Sequence, residues 1–146
     1  MIAGESQVNN QGDFAILRLL PEGTPDSTFG IHGWAVTDLG TDLEFPNCVA
    51  LQTDGKIVTA GRKADAFQSD FTMVRYHPDG TVDSLFGNNG IVGTNLREED
   101  EVTAIAIEPM DKSSSPDFLL SLPPEILQWP GIMRMVHLIN FSGWPT

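Results

Sequence analysis

The chain states one passage twice. "DFAILRLLPEGTPDSTFG" runs from Asp13 to Gly30, and "DFTMVRYHPDGTVDSLFG" from Asp70 to Gly87. Ten of the 18 aligned positions are identical, without a gap. The match continues outward at the same period of 57 residues: Ala3-Gly4 falls on Ala60-Gly61, Gly33 on Gly90 and Leu39 on Leu96. "VALQTDGK" (Val49–Lys56) then faces "IAIEPMDK" (Ile105–Lys112) at an offset of 56, so one residue has dropped out around Arg97–Asp100. A unit of this size cannot cover its own apolar face, so repeats of this kind stack into propellers, solenoids or arrays.

The punctuation inside the repeat chooses among these. "CVALQ" is a short apolar run ended by "TDGK", and "KIVTAG" follows at once, which predicts a tight hairpin. "DFTMVRYH" is the next strand, closed by the Pro/Gly turn "PDGT". "VDSLFGNNG" is a longer connection with room for one helical turn, and "GIVGTNL" is a fourth strand entered through Asn89-Gly90. Four short strands and almost no helix exclude helical repeats. They predict an all-β fold of four-stranded antiparallel β-propeller blades.

Face by face, the strands agree. Phe71 and Met73 fall on one side of "DFTMVRY", and Val74 and Tyr76 on the other. In "DFAILRLL", Phe14 and Ile16 oppose Ala15, Leu17 and Leu19. A sheet with one wet face would alternate polar and apolar residues. These strands read as sandwiched between neighbouring sheets.

The succession "ALQTDGKIVTAG", "DFTMVRYHPDGTVDSLFG", "GIVGTNL" resembles the delta-60 repeat, a family similar to β-propeller blades in bacterial secreted and cell-surface proteins. The resemblance covers about residues 1–112. It implies a propeller fold and a secreted or cell-surface setting for the parent protein, and it brings no catalytic residues with it.

The register divides the chain. Met1-Ile2-Ala3-Gly4 aligns with Val58-Thr59-Ala60-Gly61, inside the second strand of a unit. We therefore expect a partial blade over 1–39, a full blade over 47–96 and the first strand of a third over 102–108. Residues 113–146 leave the pattern. There "SSSP" reads as a linker, "PPEILQW" as the start of a short helix, and "GIMRMVHLIN" as an apolar helix in need of burial. The rival reading of this tail is frame-shifted sequence with no selected fold. Propellers close with about four to eight blades. Two and a fraction cannot close a ring, so the expectation is a fragment of a longer propeller whose open blade edges invite self-association.

Composition limits the partners. Eight basic residues against 20 acidic ones give a formal charge of −12 and a pI near 4.3, which repels phosphate backbones and anionic membrane surfaces. Nucleic acid is thus not an expected partner. No stretch reaches the ~18 apolar residues of a membrane span, and the first residues lack the basic-then-apolar pattern of a signal peptide. The single cysteine, Cys48, allows no internal disulfide and reads as a small buried hydrophobe on a strand.

Chemistry-bearing residues fall mostly on turns. Asp26 and Asp83 recur, as do Glu22 and Asp79, and Asp54-Gly55 has the same turn style. Calcium binding would use such carboxylates, yet no loop carries the spaced Asp/Asn ladder of a calcium loop, so Asx-turn chemistry is the expectation. "REEDE" (Arg97–Glu101) reads as a solvated connection. Arg18 and Arg75 recur among apolar neighbours, and a buried guanidinium needs a carboxylate; Asp26 and Asp83 are the natural partners. His32, His77 and His137 share no metal-ligand spacing with one another or with Cys48. No nucleophile elbow, zinc-protease signature or phosphate loop is present. We assign no catalytic, cofactor-binding or metal-ligating residue and expect no cofactor. The expected role is a non-enzymatic repeat module for a protein or carbohydrate ligand. The rival reading is an enzyme with a central-channel site near first-strand positions such as Asn47 and Thr103. A truncated product without independent function is a further alternative.

Overall fold

A computed structural model describes residues 1–8, 11–40, 43–65, 68–94, 102, 104–107 and the backbone of 136–138. The described residues are strands and turns throughout. β1 (Ile2–Val8), β2 (Gln11–Leu17) and β3 (Trp34–Thr37) form one sheet in that order, antiparallel at each step. β4 (Leu43–Leu51), β5 (Ile57–Ala64), β6 (Ser69–Tyr76) and β7 (Ile91–Thr94) form a second antiparallel sheet, again in chain order. An up-and-down sheet per repeat is a propeller blade.

The register of each blade follows its turns. Gly55, at φ +85°, closes the β4–β5 hairpin, with Gly55 N–H donating to Gln52 O and Gln52 N–H to Lys56 O. β4 begins at Leu43, upstream of the expected Asn47, and a bulge between Pro46 and Cys48 absorbs the irregularity. Pro46 has no N–H for the ladder, which makes a bulge its natural place. The connection expected to hold a helical turn is instead a run of tight turns. Asn89 and Gly90 both have positive φ, 51° and 94°, as a type I′ hairpin turn requires. His32 and Gly33 repeat those angles, 54° and 95°, in the first blade.

Two apolar layers follow from the stacking. Phe14, Ile16, Phe29 and Ala35 of the first blade pack with Ile57, Val74 and Tyr76 of the second. Val58, Ala60, Phe71, Met73 and Phe86 of the second blade pack with Val102, Ile105 and Ile107 beyond it. Phe14 and Phe71 are repeat equivalents, as are Phe29 and Phe86, so equivalent residues fill successive layers in the same direction. Both faces of β6 are buried, because the first blade lies on one side of it and Val102, Ile105 and Ile107 on the other.

β8 (Ala104–Ala106) pairs parallel with β9 (Val136–Leu138). The latter lies within the run read from sequence as an apolar helix. A short run apolar on all sides fits a buried strand as well as a helix, and the free edge of β8 supplies the backbone partner that decides it. The rest of the 113–146 tail, the "REEDE" run and Thr103 lie outside the described residues.

Candidate functional site

The strands deliver an arginine to the same corner of each blade. Arg75, at the end of β6, donates from Nε to Asp83 Oδ2 at 2.8 Å, and its guanidinium lies 4.6 Å above the Phe86 ring. Arg18 donates from Nε to Asp26 Oδ2 at 2.9 Å and lies 4.7 Å above Phe29. Pairing within each repeat is what recurrence of the four residues predicts. Each Arg thus has a carboxylate for its charge and an aromatic face for its plane.

The two corners differ in burial. Asp83 is fully buried and also meets Lys56 Nζ at 3.0 Å, with His77 Nε2 at 3.8 Å. Burial alone would push its carboxyl up. The hydrogen bonds from Lys56 and from Leu85 N–H, with the charges of Arg75 and Lys56, outweigh this and hold it below the usual range. Asp26 is also held low, first by hydrogen bonds from the Thr28 hydroxyl and N–H and then by Arg18. Asp79 is held low in the same way by Thr81. These aspartates, with Asp54 accepting from Lys56 N–H at 3.0 Å, cap turns. Glu22 is exposed and accepts from Thr24 at 3.4 Å.

Polar contacts fasten the first blade to the second. Arg18 Nη1 donates to Pro78 O at 2.6 Å, and Gly30 N–H to Asp79 O at 2.7 Å. Thr37 Oγ1 and Tyr76 Oη are 2.8 Å apart. The "PDGT" turn sits so close that a Cβ on Gly80 would lie 2.9 Å from Gly30 N and 3.0 Å from the Phe29 ring. One step further on, Asn47 Nδ2 donates to Val102 O at 3.0 Å, so this first-strand amide links neighbouring blades.

Beside this junction lies a cluster that the sequence reading did not name. Asp13 of β2, Asp38 just after β3 and Glu44 of β4 place carboxylate oxygens within 4.8 Å of one another. Leu39 N–H donates to both Glu44 oxygens, at 2.9 and 3.0 Å, and Gly40 N–H to Asp38 Oδ1 at 2.6 Å. Asp13 is raised above the usual carboxylate range, first by burial and then by the charge of Asp38. The available signal was the recurrence of Asp13 as Asp70. Neither residue has partners at sequence-close spacing, because the cluster forms across two blades.

Other singled-out residues stay apart from it. Cys48 is half-buried, and burial pushes its thiol up to about 11, well away from nucleophilic character. His32 is exposed in a turn, and His137 lies in β9, away from His77 in sequence and element. No described helix is long and apolar enough to cross a membrane.

A family model described as a domain of unknown function (DUF5122) beta-propeller matches residues 1–29 and 52–86. No curated protein and no solved structure matches the chain. The matched segments carry the duplicated passages and the strands that lead into them. This chain is built of repeats of the propeller type.

Proposed function

We propose that this chain is a non-enzymatic module of a larger propeller, in a delta-60-type protein of the bacterial surface or exterior, presenting blades to a protein or carbohydrate ligand. The observation that carries the reading is one exposed face. Ile2, Leu17 and Trp34 are cross-strand neighbours on the first blade. Their repeat equivalents, Thr59, Val74 and Ile91, are neighbours in the same register on the second blade. There Val74 and Ile91 are packed against the first blade. On the first blade the matching face leaves Ile2 52%, Trp34 45% and Val36 48% exposed. The chain's own junction, where Val74 and Ile91 meet the first blade, supports the leading face of another blade of the same kind as its occupant.

Solution mass tests this. The chain alone should associate as its concentration rises, and Trp34→Glu should hold it monomeric. A wild-type chain that stays monomeric at every concentration argues against the open face. A glycan array and a cell-surface protein panel, probed with a chain extended by further repeats, then separate the two ligand classes. Turnover by that extended chain would contradict the non-enzymatic reading.

A further inference from the structure

We propose that Asp13, Asp38 and Glu44 form a site for a hard divalent cation of the calcium type, which ties the first blade to the first strand of the second. Oxygen ligands stand about 2.3–2.6 Å from calcium, so opposite ligands are separated by roughly twice that distance. One oxygen from each of the three carboxylates, all within 4.8 Å of one another, is close enough to reach one such ion. The three come from β2, from the connection after β3 and from β4, so a bound ion would cross-link two sheets rather than decorate a loop.

The second observation is Asp13 itself. It is only 8% exposed, and its carboxylate accepts no hydrogen bond among the described residues. A buried carboxylate is normally paired or bound to metal. Asp13 instead faces two further carboxylates, and no salt bridge reaches Asp13 or Asp38 among the described residues. The buried Asp83 is the contrast, since it has Arg75 and Lys56. Asp13 is also not an isolated accident. Its equivalent, Asp70, has a buried Oδ1 with no hydrogen-bond partner. In sequence, the offset of 57 carries Asp38 to Asn95, and the offset of 56 carries Glu44 to Asp100. An oxygen-bearing side chain thus recurs at each position of the set.

Terbium luminescence on the full chain tests the site, with terbium standing in for calcium. Tyr76, hydrogen-bonded to Thr37 beside the cluster, is the chain's one tyrosine and a natural sensitiser. Wild type should show saturable sensitised emission that calcium displaces. Asp38→Asn, at an exposed position, should weaken loading by about tenfold or more. Asp54→Asn, at an exposed turn outside the cluster, should not. Equal loading of all three proteins would mean diffuse attraction to an acidic chain, and overturns the site. Thermal melts provide the second readout. Calcium should raise the midpoint of wild type but not of Asp13→Asn. If calcium leaves wild type unchanged and Asp13→Asn raises the midpoint equally with and without it, the cluster shares a proton and holds no ion.

Discussion

Thr37 of the first blade and Tyr76 of the second share a hydrogen bond of 2.8 Å across the junction between two repeats. Tyr76 is fully buried, and burial is the main reason its phenol is pushed up to about 12, with Glu44 adding to the effect and Thr37 opposing it. The neutral phenol is therefore what folding stabilises. Its contribution is complete below the ordinary value of 10.0 and is lost as pH rises toward 12. Because the chain has one tyrosine, tyrosinate absorbance reports this group alone. We expect no titration near 10 while the fold persists. An ordinary midpoint there would mean that the junction is open.

Phe71 and Phe14 fill equivalent layers, and both are buried. Truncation to alanine should cost about 3–5 kcal/mol in a denaturant melt, the usual range for a buried ring. A loss below about 1 kcal/mol at Phe71 would contradict its placement between blades.

Asp83→Ala strips the counter-charge from Arg75, which is itself buried. We expect a loss of about 3–5 kcal/mol, as for a broken buried pair. Asp26→Ala, at the more exposed equivalent corner, should cost clearly less. Acid offers a second check. The depressed Asp83 contributes stability that is complete above the ordinary carboxylate value of 3.8 and is lost as pH falls through its lower folded value. Wild type should therefore lose more stability in acid than Asp83→Ala. Parallel acid profiles would remove Asp83 from that role.

Gly80 has φ +90° and no room for a Cβ beside Gly30 and Phe29. Gly80→Ala should destabilise the chain by more than the roughly 1–2 kcal/mol that an L-residue costs in the left-handed region, because it must also separate the blades. Gly23→Ala is the control, since Gly23 has a similar φ of +89° and open space around it. Equal melting of the two variants would show that the junction tolerates the extra atom.

The fold was legible because a repeat reports its own tertiary contacts. Phe14 and Phe71 mark the same layer, and recurrence of Arg18–Asp26 as Arg75–Asp83 marks the same ion pair. Turn chemistry was legible for a local reason: Asn89-Gly90 and Asp54-Gly55 demand backbone angles that few other residues adopt. The Asp13, Asp38 and Glu44 cluster was not, because its members come from two blades and sit at no fixed spacing. Their approach depends on how β4 lies against β1 and β2, and no periodicity encodes that. Val136–Leu138 eluded the reading for a different reason. Its apolar run fits helix or strand, and the choice rests on a distant partner edge.

Equivalence of successive layers also bears on how such a protein changes over time. Phe14 and Phe29 at one junction recur as Phe71 and Phe86 at the next, so inserting or deleting one whole unit keeps this aromatic pair at each surviving junction. Unequal recombination between the duplicated passages would therefore change the number of blades in a single step while keeping that pair between neighbours.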